Sequence, residues 1–237
     1  MAHLPKPLRI LCFGASLVEG YSSYGMRMTP YSKTMKRVLA AEIGYEFEFE
    51  VETNGVSGQQ VTSGFRKRME ELYSSPNSIQ SPYDWVVFLG GTNDIAFQKS
   101  PTDIFSEIRT ITNLNLENGA RVLMLTVPEC GVKNKGLDQR RNDLNDLIKG
   151  DEREGVYILD LHALVPYHAM PAEERKEIWD DGLHFTPEGY ERVGRLVAGR
   201  LIEILEGALD EDKKGVNSKG GKKGEEVPVE EEEEEEK

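Results

Sequence analysis

Apolar residues along this chain keep changing their spacing. Residues 8–13, Leu-Arg-Ile-Leu-Cys-Phe, form a short run with a single charge, the pattern of a buried strand. Residues 32–43 place Met35, Val38, Leu39 and Ile43 on one stripe at helical spacing, and Gly44 can end that helix. Over residues 45–51, Tyr, Phe, Phe and Val alternate with Glu, the period of a half-buried strand. A helix is expected over 59–73 and turn chemistry over 74–82. A strongly apolar strand follows over 84–89, stopped by Gly90 and Gly91. Ser100 before Pro101 marks a helix start, and that helix runs to about residue 118, ahead of Gly119. Then come a strand over 121–127 ended by Pro128, a helix over 137–149, a strand over 156–161 and a short helix over 171–179. Thr186-Pro187-Glu188 opens a last helix, with Tyr190, Val193, Val197 and Leu201 three or four residues apart. Strand and helix alternate five times, which argues for a parallel sheet covered on both faces.

The pattern stops near residue 207. Residues 208–237 pass through Lys and Gly into the unbroken glutamates of 230–236. Such a segment cannot bury a core, so the expected organisation is one folded domain over 1–207 and a disordered acidic tail over 208–237. A partner for the tail is unknown, and simple solubilising charge is the plainer reading. The tail has 6 Lys against 12 Asp and Glu, so it holds −6 of the net −13. An acidic chain is a poor match for nucleic-acid backbones, which need clustered Lys and Arg. No apolar run approaches the ~20 residues of a membrane helix. Residues 1–9 contain two prolines and no apolar core of a signal peptide, so a cytoplasmic location is expected. Cys12 and Cys130 adjoin strands and read as small buried hydrophobes in a reducing compartment.

Candidate chemistry begins where the first strand ends. Gly14 permits a sharp turn, and Ser16 is the first reactive side chain beyond it, where open α/β sheets bind ligands. A serine hydroxyl needs a base and an acid to orient that base. Asp181-Gly182-Leu183-His184 offers both, three residues apart with a glycine between them. Acyl transfer also needs donors for a developing oxyanion. The N–H of Ser16, the N–H of Gly58 and the side-chain amide of Asn93 each follow a strand. Taken singly, every one of these has a plainer reading: a solvated His in a loop, a turn glycine, an Asx-turn asparagine. Residues 21–31, rich in Tyr, Met, Gly and Ser, are either a wall of a pocket beside Ser16 or an ordinary surface loop. Asp180 is expected to face solvent or cap a turn.

Taken together, Gly14-Ala15-Ser16-Leu17, Asn54-Gly55-Val56-Ser57-Gly58, Gly91-Thr92-Asn93-Asp94 and Asp181-Gly182-Leu183-His184 resemble, in that order, the four motifs of the SGNH hydrolases, the GDSL-type esterase superfamily. The resemblance covers roughly residues 8–207. It implies a flavodoxin-like three-layer α/β/α sandwich with a five-stranded parallel sheet. It makes Ser16 the nucleophile, His184 the base and Asp181 its orienter, with an oxyanion hole from Ser16, Gly58 and Asn93. The substrate is then a small carboxylic ester, with no organic cofactor and no metal. One position departs from the family: Ala15 stands where an Asp is usual, which removes a carboxylate beside the nucleophile that could brace nearby loops. The second glycine of the α/β-hydrolase elbow G-x-S-x-G is Val18 here. His162 and His168 lack the partners of a zinc site, and no phosphate-cradling loop supports a nucleotide binder. The alternative from another class is a catalytically idle binding or scaffold protein on the same fold.

Overall fold

The computed structural model describes residues 5–74 and 83–219, with side chains to residue 209. The chain divides into two units, Met1–Ile202 and Glu203–Lys237. In the first, β1 (Lys6–Gly14) leads into the single turn α1 (Ser16–Glu19). A small hairpin follows, β2 (Tyr21–Ser22) with β3 (Arg27–Met28), then α2 (Tyr31–Ile43) and β4 (Phe47–Gly55). Next come α3 (Phe65–Ser74), β5 (Trp85–Leu89), α4 (Thr92–Ala96), α5 (Pro101–Glu117) and β6 (Arg121–Leu125). The chain continues through α6 (Lys135–Lys149), β7 (Val156–Leu159), α7 (Leu161–Leu164), α8 (Ala172–Ile178) and α9 (Pro187–Lys219).

The main sheet has five parallel strands in the order β4-β1-β5-β6-β7. After β1 the chain adds β4 on one side, then crosses back to add β5 on the other. Ligands bind at such a reversal, outside the carboxyl ends of the strands. Ser16 follows β1 and Asn93 follows β5, so the topology puts both at that point. All of β5 is buried, as a strand covered on both faces requires. Side chains alternate between faces. Leu11, Phe13, Val86, Phe88, Val122 and Met124 form one core with Phe65 and Met69 of α3, Ile104 and Ile108 of α5 and Leu144 of α6. On the other face α9 crosses α2 closely: a Cβ at Gly194 would lie 2.5 Å from the Tyr31 carbonyl.

The elements follow the hydrophobic pattern, with four instructive departures. The strand expected from residue 8 begins at Lys6; Pro7 lies where β1 pairs only with β4, so its missing N–H costs no bond to β5. The helix expected from residue 59 begins at Phe65, because the Asp94 carboxylate takes the N–H groups of Val61 and Thr62 and Gly64 turns through a left-handed φ of 107°. The strand expected to reach residue 161 ends at Leu159, where Asp160 caps a new helical turn through the Ala163 N–H. In the second unit the backbone stays helical as far as Lys219, beyond the start expected for the disordered tail. The expected turn over 74–82 and the glutamate run lie, from residues 75 and 220 respectively, outside the described residues. Among the described residues no helix is long and apolar enough to cross a membrane.

Candidate active site

Ser16 stands on a turn that only glycine permits. A Cβ at Gly14 would lie 2.4 Å from both the Leu89 carbonyl oxygen and a Val18 methyl. The chain therefore leaves β1, turns at Ala15 and starts α1 with Ser16, which is 8% exposed.

The loop between α8 and α9 reaches this serine because it is pinned at its base. Trp179 and Phe185 form an antiparallel bridge, the Asp180 N–H donates to the His184 carbonyl (2.9 Å), and Gly182 takes a φ of 80°. Within the loop, Asp181 Oδ1 accepts the N–H groups of Leu183 (3.0 Å) and His184 (2.8 Å). Asp181 Oδ2 lies 2.8 Å from His184 Nδ1, and His184 Nε2 lies 3.0 Å from Ser16 Oγ. A carboxylate can only accept, so Nδ1 carries a proton, and in the neutral ring Nε2 is then the acceptor that faces the serine. Burial would raise the Asp181 pKa. The hydrogen bonds from the His184 ring and from the His184 and Leu183 N–H groups outweigh it and hold the carboxyl below its ordinary range. Asp181 therefore stays ionised beside the imidazole.

Around the remaining predicted residues the arrangement is looser. Ser16 and Asn93 line one small cleft of about 250 Å³, together with Gln59 and Gly91. One Asn93 N–H donates to the Gln59 carbonyl at 2.9 Å, leaving the amide a second donor. Gly58 does not line that cleft, although the next residue does. At Gly58 the backbone takes a left-handed φ of 77°, which favours glycine, and a Cβ would meet no protein atom within 4 Å.

Several supporting groups escape a reading of sequence. Asp94 is fully buried and accepts from Val61 N–H (2.8 Å), Thr62 N–H (3.0 Å) and the Thr62 hydroxyl (2.8 Å), which fixes the loop after Gly58. Asp180 does more than face solvent: it accepts the Ser23 N–H at 2.6 Å and so ties the β2–β3 hairpin to the His184 loop. Residues 21–31 divide between a contact with the His184 loop and the surface. The Tyr21 ring lies 4.5 Å from the His184 ring, whereas Tyr24 and Met26 at the tip are exposed. Cys12 is buried on the sheet, and burial pushes its thiol up to about 12, which keeps it protonated.

A second cavity, of about 360 Å³, shares Thr92 and Asn93 with the serine cleft. Ile95 and Ala96 of α4, Val127 and Pro128 after β6, Leu137 of α6 and Leu183 beside His184 give it an apolar wall. Arg141 also borders it, but its guanidinium donates to Asp138 (2.8 Å) and to Cys130 Sγ (3.1 Å). Among the described residues no group of His, Cys, Asp and Glu could hold a metal.

The profile of the GDSL-like lipase/acylhydrolase family matches residues 12–192. The chain belongs to this family. It is a carboxylic ester hydrolase. Solved structures agree on the fold. An aryl esterase from M. smegmatis superposes with a TM-score of 0.63 at 19% identity, over 83% of this chain and 99% of that one. A carbohydrate acetylesterase from Sinorhizobium meliloti gives 0.62 at 18%, over 83% and 99%. A lipase/acylhydrolase from Enterococcus faecalis gives 0.61 at 20%, over 82% and 95%. No curated protein sequence matches.

Proposed function

We propose that this protein hydrolyses small carboxylic esters through an acyl-enzyme on Ser16. The observation that carries the reading is the unbroken relay from Asp181 to His184 to Ser16, with contacts of 2.8 and 3.0 Å. Ser16 Oγ attacks the ester carbonyl while its proton passes to His184 Nε2. Asp181 holds the ring in the tautomer that can accept that proton and stabilises the imidazolium that forms. The carbonyl oxygen, now negative, is received by the Ser16 N–H, the Gly58 N–H and the Asn93 amide. His184 then returns its proton to the leaving alcohol, and water repeats the sequence on the acyl-enzyme. The apolar cavity beside Asn93 accommodates the acyl group. Its apolar wall suits a small hydrocarbon acyl group.

The direct test is hydrolysis of p-nitrophenyl esters of rising acyl length by the parent and Ser16→Ala. The parent should prefer short chains, and the variant should lose several orders of magnitude in kcat with its fold intact. Equal turnover by the two proteins would end the reading.

A further inference from the structure

The loop carrying Gly58 is the least supported part of the proposed oxyanion hole. Val56, Ser57 and Gly58 are all exposed, and no heavy atom lies within 4 Å of a Cβ built at Gly58. A donor that receives developing charge works only if it is held in place beforehand. After Gly58 the holding is clear: Asn93 takes the Gln59 carbonyl, and the buried Asp94 takes Val61 and Thr62. Before Gly58 the backbone contributes two bonds, both at Val56: its N–H donates to the Gly14 carbonyl at 3.2 Å, and its carbonyl accepts the Gln59 N–H at 3.2 Å, closing a turn over Ser57 and Gly58. The side-chain contact there comes from Glu19. Its Oε2 accepts the Ser57 N–H at 3.1 Å and also accepts the Ser57 hydroxyl.

Two further features hold Glu19 in place. Glu19 ends the one-turn helix that begins at Ser16, and its N–H donates to the Ala15 carbonyl at 3.0 Å. Gly55 packs directly on it, since a Cβ there would lie 2.3 Å from the Glu19 nitrogen. One helical turn therefore links the serine to the residue before Gly58. Ala15 places no carboxylate beside the nucleophile; Glu19 supplies one a turn later. Arg68 completes the surroundings: it donates to the Gly14 carbonyl at 2.6 Å, with its guanidinium 4.2 Å from the centre of the Phe13 ring. Burial lowers its pKa to about 10, and the charge of Glu19 acts against that fall.

We propose that Glu19 is a positioning residue: it grips Ser57 at both N–H and hydroxyl, and so aims the Gly58 N–H at the developing oxyanion. The inference rests on the ester-hydrolase reading above and on Gly58 as a donor. It is tested by a double-mutant cycle on the full-length protein, using Glu19→Ala, Ser57→Ala and the pair, with kcat and KM for p-nitrophenyl acetate measured separately. Glu19→Ala should lower kcat about 10- to 100-fold, the scale of a misplaced catalytic donor, with KM within about twofold. Ser57→Ala keeps its N–H bond to Glu19 and should lose less. The double variant should be no slower than Glu19→Ala alone, because the two side chains act through one contact. Glu19→Gln retains an acceptor oxygen and should recover part of the rate, and it serves if Glu19→Ala does not fold. Wild-type kcat in Glu19→Ala, a loss confined to KM, or losses that multiply in the pair would each overturn the proposal. Failure of the underlying reading looks different: Ser16→Ala then hydrolyses as fast as the parent, and the role of Glu19 falls with it.

Discussion

Replacing either of two neighbouring aspartates by asparagine changes almost no volume, yet the structure assigns the two changes very different costs. Three donors converge on Asp181: the N–H groups of Leu183 and His184, and His184 Nδ1. An asparagine offers one oxygen and one NH₂ group, so neither orientation satisfies all three. If its oxygen stays on the backbone donors, its NH₂ faces Nδ1. The ring proton must then move to Nε2, which would point it at Ser16 and leave no base. If the amide flips, the tautomer is kept but NH₂ confronts two N–H groups and the loop loosens. Both orientations also lose the negative charge that stabilises the imidazolium. A forced wrong tautomer in a serine triad costs about 10⁴ in kcat, or ~5.5 kcal/mol of barrier. Asp180 accepts a single N–H, from Ser23 at 2.6 Å. An asparagine keeps that acceptor, so Asp180→Asn should change kcat by no more than a few-fold. Steady-state kinetics of both variants on p-nitrophenyl acetate, with matched melting curves, read the comparison. If Asp180→Asn were the crippling change and Asp181→Asn the mild one, the assigned relay would be wrong.

Asn93→Ala should lower kcat by roughly 10²–10³ with little change in KM, the usual loss for one oxyanion donor; a rise in KM at constant kcat would make Asn93 a ground-state contact instead. Acid should unfold the protein through its bonded carboxylates. Burial would raise the pKa values of Asp151, Glu129 and Asp181, but Arg153 for the first, the His168 and Tyr167 N–H groups for the second and the His184 bonds for the third outweigh it and lower all three. A folded-state pKa below the unfolded one means that the unfolded chain binds more protons. The stabilisation is therefore present above the ordinary carboxylate range, near pH 4, and drains away as pH falls below it. Urea midpoints across this range should show Asp181→Asn with a shallower acid dependence than the parent; an unchanged slope would refute the assignment.

How much of this was legible from sequence follows from where each determinant lies. Runs such as Trp85–Leu89 and the Ser100–Pro101 start declare themselves locally, so strands and helices can be read off within a few residues. Asp181 and His184 are legible because their contact is made within one turn of chain. Ser16 is legible through the glycine that its position demands. Contacts between distant segments are not. Nothing near residue 61 announces that Asp94 will take its N–H and delay α3, and nothing at residue 23 announces Asp180. The grip of Glu19 on Ser57 joins residues 38 apart in sequence, and the Tyr21–His184 contact depends on a hairpin that reads as a loop. Both cavities also depend on how α4, the β6–α6 connection and the His184 loop meet.

Activation of Ser16 to form a covalent intermediate can be measured directly. The protein is treated with a fluorophosphonate, digested, and mapped by mass spectrometry, beside His184→Ala. Only a serine with a working base and oxyanion hole reacts quickly with such a reagent. A single adduct on the peptide containing Ser16, nearly absent in His184→Ala, is the expected result. An adduct on a different serine, or equal labelling of Ser16 without His184, would contradict it.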